Sequence, residues 1–186
     1  MTENYKSFAE IIKQRYAGPY TATDIIIRHN DGVKEGVVII GRKYFPLGLA
    51  FPGGMAEHMK WSENAIKEGR EETGLENIIL DDPERPLCAL SGLDDDPRAH
   101  IGTLVYTARG DGILHPDPKE DAKFAMVVTN NELYYLTLDH NAHKWAMPRY
   151  RHIAQKYLQY IGYDATEYSK NKKIGDKIGD ILTRLT

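Results

Sequence analysis

The chain has 186 residues, 41% of them hydrophobic and 27% charged, which is enough for a sizeable core and excludes a chain too polar to fold. A formal net charge of −3 leaves no overall basic footprint for nucleic acid. Cys88 is the only cysteine, which excludes an internal disulfide and a four-thiolate zinc site.

The opening MTENYKSFAEIIKQRY lacks the apolar stretch of a secretory leader, and no apolar run approaches the ~20 residues of a membrane span. With one thiol, these features lead us to expect a cytoplasmic protein with no membrane partner. Phe8, Ile11, Ile12 and Tyr16 predict a short amphipathic helix over residues 7–17. Thr23 to Ile27 and Gly36 to Ile40 read as strands around an Asn30-Asp31-Gly32 turn, so residues 22–41 predict a hairpin. Phe51-Pro52-Gly53-Gly54 reads as a loop. A helix is expected from about Glu63 to Thr73, with Ser62 as its N-cap and Gly74 as its C-cap. Strands are predicted at 87–91, 101–108, 124–129 and 133–137, and a second amphipathic helix at 147–162. The tail from 163 onward is Lys-rich at Lys170, Lys172 and Lys173, which predicts a solvated face. No repeat or linker divides the chain. We expect one domain of α/β or α+β type, with a helix within 1–19, a core over 20–162 and a tail over 163–186.

The stretch KEGREETGLE, Lys67 to Glu76, gathers four glutamates. On a helix Glu68, Glu71 and Glu72 share an arc of roughly 100°. Like charges at this spacing repel, and a hard divalent cation held by oxygen ligands relieves that repulsion. A charged outer face is the ordinary meaning of such a triplet. The adjoining face of Ser62, Ala65, Ile66, Gly69 and Thr73 is mostly small and suits close packing on a sheet.

The segment from Gly53 to Leu75, GGMAEHMKWSENAIKEGREETGL, resembles the Nudix box. Gly53, Glu68, Glu71, Glu72, Gly74 and Leu75 match its register. Lys67 stands where that family has Arg, and Gly69 where it has an aliphatic residue. The first box Glu is missing: counting from Gly53 reaches Met59, and counting from Gly54 reaches Lys60. In the family that Glu and Arg brace the metal-binding glutamates. Here the site is either under-braced or rebuilt, with Glu57 as the alternative brace.

Outside the box, Asp96-Pro97-Arg98-Ala99-His100, Glu120-Asp121-Ala122 and Asp139-His140 resemble motifs of the ADP-ribose pyrophosphatase-like branch. The resemblance spans about residues 20–162. It implies an α/β/α sandwich with a mixed central sheet. It further implies a homodimeric hydrolase that uses Mg²⁺ or Mn²⁺ to cleave the diphosphate of ADP-ribose, or of another dinucleotide or nucleotide sugar. A sensor that holds ADP-ribose without cutting it is the alternative outside catalysis. The resemblance assigns metal ligation to Gly53, Glu68, Glu71 and Glu72 and catalysis to the same three glutamates; Arg42, Arg98 and His100 are candidates for substrate contact, with a salt bridge or a buried polar partner as their plainer reading.

Further candidates have plainer readings beside them. His140 and His143 lack a third metal ligand at useful spacing, so Asp139-His140 is expected to anchor the last helix. Asp94-Asp95-Asp96 reads first as a solvated turn. Asp111, Asp117, Glu120 and Asp121 lie on or beside a loop able to supply a base. Trp61 and Trp145 are expected in packing before base stacking.

Overall fold

The structure is a computed structural model and describes residues 18–93 and 95–169. The helix expected over 7–17, Asp94 and the lysines at 170–173 lie outside the described residues. The elements in chain order are β1 (Tyr20–Asn30), β2 (Glu35–Arg42), β3 (Leu49–Ala50), β4 (Gly53–Met55), α1 (Trp61–Thr73), β5 (Asn77–Leu80), β6 (Cys88–Leu90), β7 (Ile101–Asp111), β8 (Ala122–Val128), α2 (Asn130–Thr137), a 3₁₀ turn (Asp139–Lys144), α3 (Pro148–Tyr160) and the single turn α4 (Thr166–Ser169). Among the described residues no helix is long and apolar enough to cross a membrane.

Among the described residues eight strands join one mixed sheet, the expected α/β arrangement. β1 organises it. Along one edge β1 runs parallel to β7, from Tyr20↔Ile101 to Arg28↔Arg109. Along the other it is shared: Ala22 to Asp24 pair antiparallel with β4, and Arg28 to Asn30 pair antiparallel with β2. The chain therefore forks beside β1, and the fork places Gly53 opposite Asp24.

The unbroken apolar runs of β1 and β2 follow from covering both faces of the sheet. Ile25 and Ile27 pack with Ala65, Leu75 and Ile78 beneath α1. Ile26 points the other way, into a core with Leu133, Trp145, Tyr150 and Ile153 from α2, α3 and the turn between them. Gly69 explains how α1 lies so close: a Cβ there would stand 3.0 Å from the Ile78 Cδ1 and 3.3 Å from Ile25 Cγ2. That close approach offsets the roughly 1 kcal/mol that glycine costs inside a helix.

Three sequence expectations need correction. The run at 133–137 is helical, because Thr129 and Glu132 form a reciprocal capping box that starts α2, with Glu132 N–H donating to Thr129 Oγ1 at 3.2 Å and Thr129 N–H to Glu132 Oε2 at 2.8 Å. α1 begins at Trp61 with Lys60 at the N-cap, so Ser62 lies inside the first turn. Gly53-Gly54 belongs to β4 and not to a loop, since β1 offers it an unpaired edge. The C-cap is as expected: Gly74 has φ 78° and donates its N–H to the Arg70 carbonyl at 2.8 Å.

Candidate active site

Two backbone devices set the geometry. The loop into α1 is held by Asn64, fully buried, which donates Nδ2–H to Thr23 Oγ1 at 2.8 Å and accepts the Glu57 N–H at 3.1 Å. The loop before β8 docks on the end of α1, with His115 N–H on the Thr73 carbonyl at 2.8 Å and Asp117 N–H on the Glu71 carbonyl at 3.0 Å. Lys43 clamps that loop from the other side, donating Nζ–H to the carbonyls of Pro118 at 2.7 Å and Glu120 at 2.6 Å. Glu120 and Asp121 are thereby brought to the fork in the sheet.

At the fork is a cleft of about 140 Å³. Gly53, Gly54, Glu68 and Glu72 line it, with Glu120 and Asp121. Asp24, Arg42, Arg98, Arg149 and Tyr150 complete its charged and polar wall. Glu72 is 3% exposed and accepts the Gly53 N–H at 2.8 Å. Burial, with Glu68 and Asp121 nearby, pushes its carboxyl up to about 8, against the Gly53 hydrogen bond and Arg42. Burial also raises Glu68, which Lys67 partly offsets. A Cβ at Gly54 would overlap the Glu68 carboxylate, so glycine there leaves room for that side chain at the cleft. Gly53 is restricted more firmly, because its Cβ would overlap the β1 backbone at Thr23 and Asp24. Asp24, buried and accepting the Thr103 hydroxyl at 2.7 Å, is also raised by burial.

The structure brings together Gly53, Glu68, Glu72, Arg42 and Arg98. It leaves Glu71 and His100 off the cleft lining. Glu71 points to the Lys67 Nζ at 2.9 Å, and the same ammonium stands 3.2 Å from Glu57 and 3.5 Å from Glu68. His100 Nε2 pairs with the Ser91 carbonyl at 3.1 Å. Arg42 is buried, donates Nε–H to the Pro46 carbonyl at 2.9 Å, and pairs with Asp121 at 2.5 Å.

The remaining candidates have structural work. Asp96 is buried and takes Arg98 through Nε at 2.9 Å and Nη2 at 2.8 Å, so it serves a guanidinium rather than a solvated turn. Asp139 pairs with Arg151 of α3, the expected anchor. Trp145 is 4% exposed and stacks on Phe51 at 5.8 Å between centroids. Sequence reading missed Asp24, Arg149 and Tyr150. An acid inside the apolar run of β1 was the one available signal for Asp24; Arg149 and Tyr150 carry none.

Among the described residues no three His, Cys, Asp or Glu side chains converge to hold a metal by themselves. Mg²⁺ is ordinarily held by one or two carboxylates and completes its shell with water and substrate phosphates. Glu68 and Glu72 offer that number of hard oxygen donors. Burial first, and neighbouring carboxylates after it, disfavour the charged form of both groups, and a cation beside them would favour it.

A model of the NUDIX domain family matches residues 19–152. No curated protein matches the chain. Among solved structures, a MutT/nudix family protein from Enterococcus faecalis shares 27% identity over 66% of this chain and 49% of its own, with a TM-score of 0.50. A bifunctional NMN adenylyltransferase/ADP ribose pyrophosphatase from Francisella tularensis, complexed with AMP and a Mn ion, shares 17% identity over 85% of this chain and 47% of its own, with a TM-score of 0.56. The chain thus spans about half the length of these two proteins. The NUDIX domain of Shewanella oneidensis NrtR, complexed with ADP ribose, shares 12% identity over 82% of this chain and 97% of its own, with a TM-score of 0.61. At such identities the last two likenesses concern the fold.

Proposed function

The chain belongs to the Nudix family, and on that premise we propose that it is a divalent-metal-dependent hydrolase that cleaves the diphosphate of ADP-ribose, or of a close relative, to AMP and a sugar phosphate. The observation that carries this reading is the cleft. It sets the buried Glu72 and the largely buried Glu68, whose carboxyls burial raises, in one small space with the guanidinium groups of Arg42, Arg98 and Arg149. Such a site favours a ligand that is polyanionic and arrives with a cation.

In this reading Glu68 and Glu72 hold Mg²⁺ or Mn²⁺, with the Gly53 carbonyl beside them. An ion held there would supply charge neutralisation for the phosphate oxygens and a more acidic water. Glu120, which lines the cleft from the docked loop, would serve as the base that takes the attacking water's proton. Asp121 orients Arg42, and its carboxylate also accepts the Tyr44 N–H at 2.9 Å, which keeps the loop in register. Glu71 supports the site through Lys67, and joins the ligand set when that ion pair opens. The cleft is small and its wall is charged, so in this reading it takes the diphosphate, and its arginines address phosphate in preference to base.

A panel of nucleoside diphosphate derivatives, incubated with Mg²⁺ or Mn²⁺ and assayed for released monophosphate, tests the proposal. ADP-ribose is expected among the best substrates. Dominant cleavage of a compound lacking ADP-ribose would reassign the substrate. Lys67 favours one second reading, a module that binds without cutting, because its ammonium already occupies Glu71 and approaches Glu68. Tight ADP-ribose binding with no turnover in either metal would establish that reading.

A further inference from the structure

Three arginines line the cleft, and they are not equally engaged. Arg42 is neutralised by Asp121 and holds the Pro46 carbonyl. Arg98 is paired through two bonds with Asp96, and its side chain is 40% exposed. Arg149, in the first turn of α3, is 3% exposed. It pairs with the same Asp96, at 3.3 Å from Nη1, and the buried Asp24 also acts on its charge. Asp96 therefore faces two guanidinium groups with one negative charge. Neither Nε nor Nη1 of Arg149 makes a hydrogen bond.

A buried guanidinium with unmade hydrogen bonds weakens a fold, because the group has left water without replacing it. Arg149 is not needed to satisfy Asp96, which Arg98 already holds in two places. Its position is also particular. Glu68 and Glu72 reach the cleft from α1, which covers one face of the sheet; Arg149 reaches it from α3, which covers the other. Anything in the cleft lies between the two.

We propose that Arg149 is the anion-holding residue of this cleft, taking one phosphate of a diphosphate whose neighbouring phosphate faces Glu68 and Glu72. Asp96 positions it, and its Nε and Nη1 donors are left unused. A small rotation of the guanidinium turns its unused donors onto the phosphate oxygens, the planar geometry that suits such recognition. The inference rests on the diphosphate reading above but concerns binding alone.

The test titrates inorganic pyrophosphate into the full chain and into Arg149→Met and Arg149→Lys, by calorimetry, with and without Mg²⁺. Melting temperatures are measured without ligand. Arg149→Met is expected to bind pyrophosphate roughly 10- to 100-fold more weakly, the range spanned by hydrogen bonds to charged groups. Arg149→Lys should fall between it and the parent, because it keeps the charge and loses the fork. Unliganded Arg149→Met should melt at the parent temperature or above it, since an unsatisfied charge has gone. Affinity within twofold of the parent in the Met variant overturns the inference, as does a parent that binds no pyrophosphate. A lowered melting temperature with unchanged affinity would show Arg149 to be a structural partner of Asp96. Should the Met variant not fold, the Lys variant carries the test, with affinity equal to the parent as the refuting result. Pyrophosphate held through Arg149 by a protein that hydrolyses no diphosphate leaves this inference standing and removes only the hydrolase reading.

Discussion

Lys67 and Glu57 form an ion pair at 3.2 Å across the mouth of the loop that leads into α1. Glu57 lies two positions before Met59, where counting from Gly53 would place the missing box Glu. Its backbone is fixed by Asn64, and its side chain reaches the residue that replaces the family's Arg. The same ammonium meets Glu71 at 2.9 Å, so an acid, a cation and a helix glutamate are linked in series. This brace is built from different positions and is half-exposed, so each of its ion pairs contributes little alone.

Replacing Lys67 by Arg is expected to lower turnover several-fold and to raise the Mg²⁺ concentration needed for half-maximal rate. The bulkier guanidinium must fit among three carboxylates spaced for an ammonium. Adding Met59→Glu should recover little, because the acidic partner already stands at Glu57. Initial rates across a Mg²⁺ titration measure both variants. A Lys67→Arg protein better than the parent would show the site to be under-braced.

Glu72→Gln removes a buried ligand charge while keeping the side chain's shape. Turnover should fall on the order of 10²–10⁴, as for loss of a key acid–base or electrostatic group. Metal-free stability should hold or rise, because burial opposes the charged form of Glu72. Steady-state rates and metal-free thermal melts test the two halves separately. Unchanged turnover would place the metal elsewhere.

The same residue sets a pH dependence. Its folded carboxyl titrates at about 8, against an ordinary value of 4.5. Between those values the folded state keeps a proton that the unfolded state has released. Stability of the metal-free protein therefore falls as pH rises from about 5 to 8, by an amount on the order of a few kcal/mol. Glu72→Gln should flatten this slope, and Mg²⁺ should restore stability at the alkaline end. Denaturant titrations of both proteins at several pH values give the comparison; equal slopes would count against Glu72 as the source.

Gly53→Ala and Gly54→Ala should fail in different ways. A methyl group at Gly53 meets backbone atoms of β1, which cannot yield, so overpacking should cost about 1–3 kcal/mol of stability. A methyl group at Gly54 meets only the carboxylate end of Glu68. That end can swing away, so Gly54→Ala should fold normally and lose metal affinity. Thermal melts paired with metal titrations separate the two; equal losses of stability would contradict this reading of the fork.

Much of the arrangement is local and was therefore legible in the chain. The β1–β2 hairpin follows from two apolar runs around Asn30-Asp31-Gly32, and α1 from periodicity and Gly74. The small face centred on Gly69 does pack against the sheet, as its composition required. The register of the box places Glu68 and Glu72 on one side of a helix, and that side faces the cleft. The capping box of Thr129 and Glu132 was also present in the sequence. Its meaning was hidden by the β-like look of Leu133-Tyr134-Tyr135-Leu136-Thr137, because local propensity is weak where a cap decides.

What the sequence by itself determined, then, is the set of elements and the helix face that gathers carboxylates, since both depend on spacings of a few residues along one chain. Tertiary structure alone decided which charges meet. Asp24 and Arg149 are 125 positions apart, yet both line one cleft, because β1 and α3 meet at the fork where β1 passes from β4 to β2. It also decided that Glu71 turns to Lys67 while Glu72 is buried, a difference between adjacent residues set by what covers each of them. Burial and pairing between distant segments set each group's charge and partners, and no spacing along the chain encodes them.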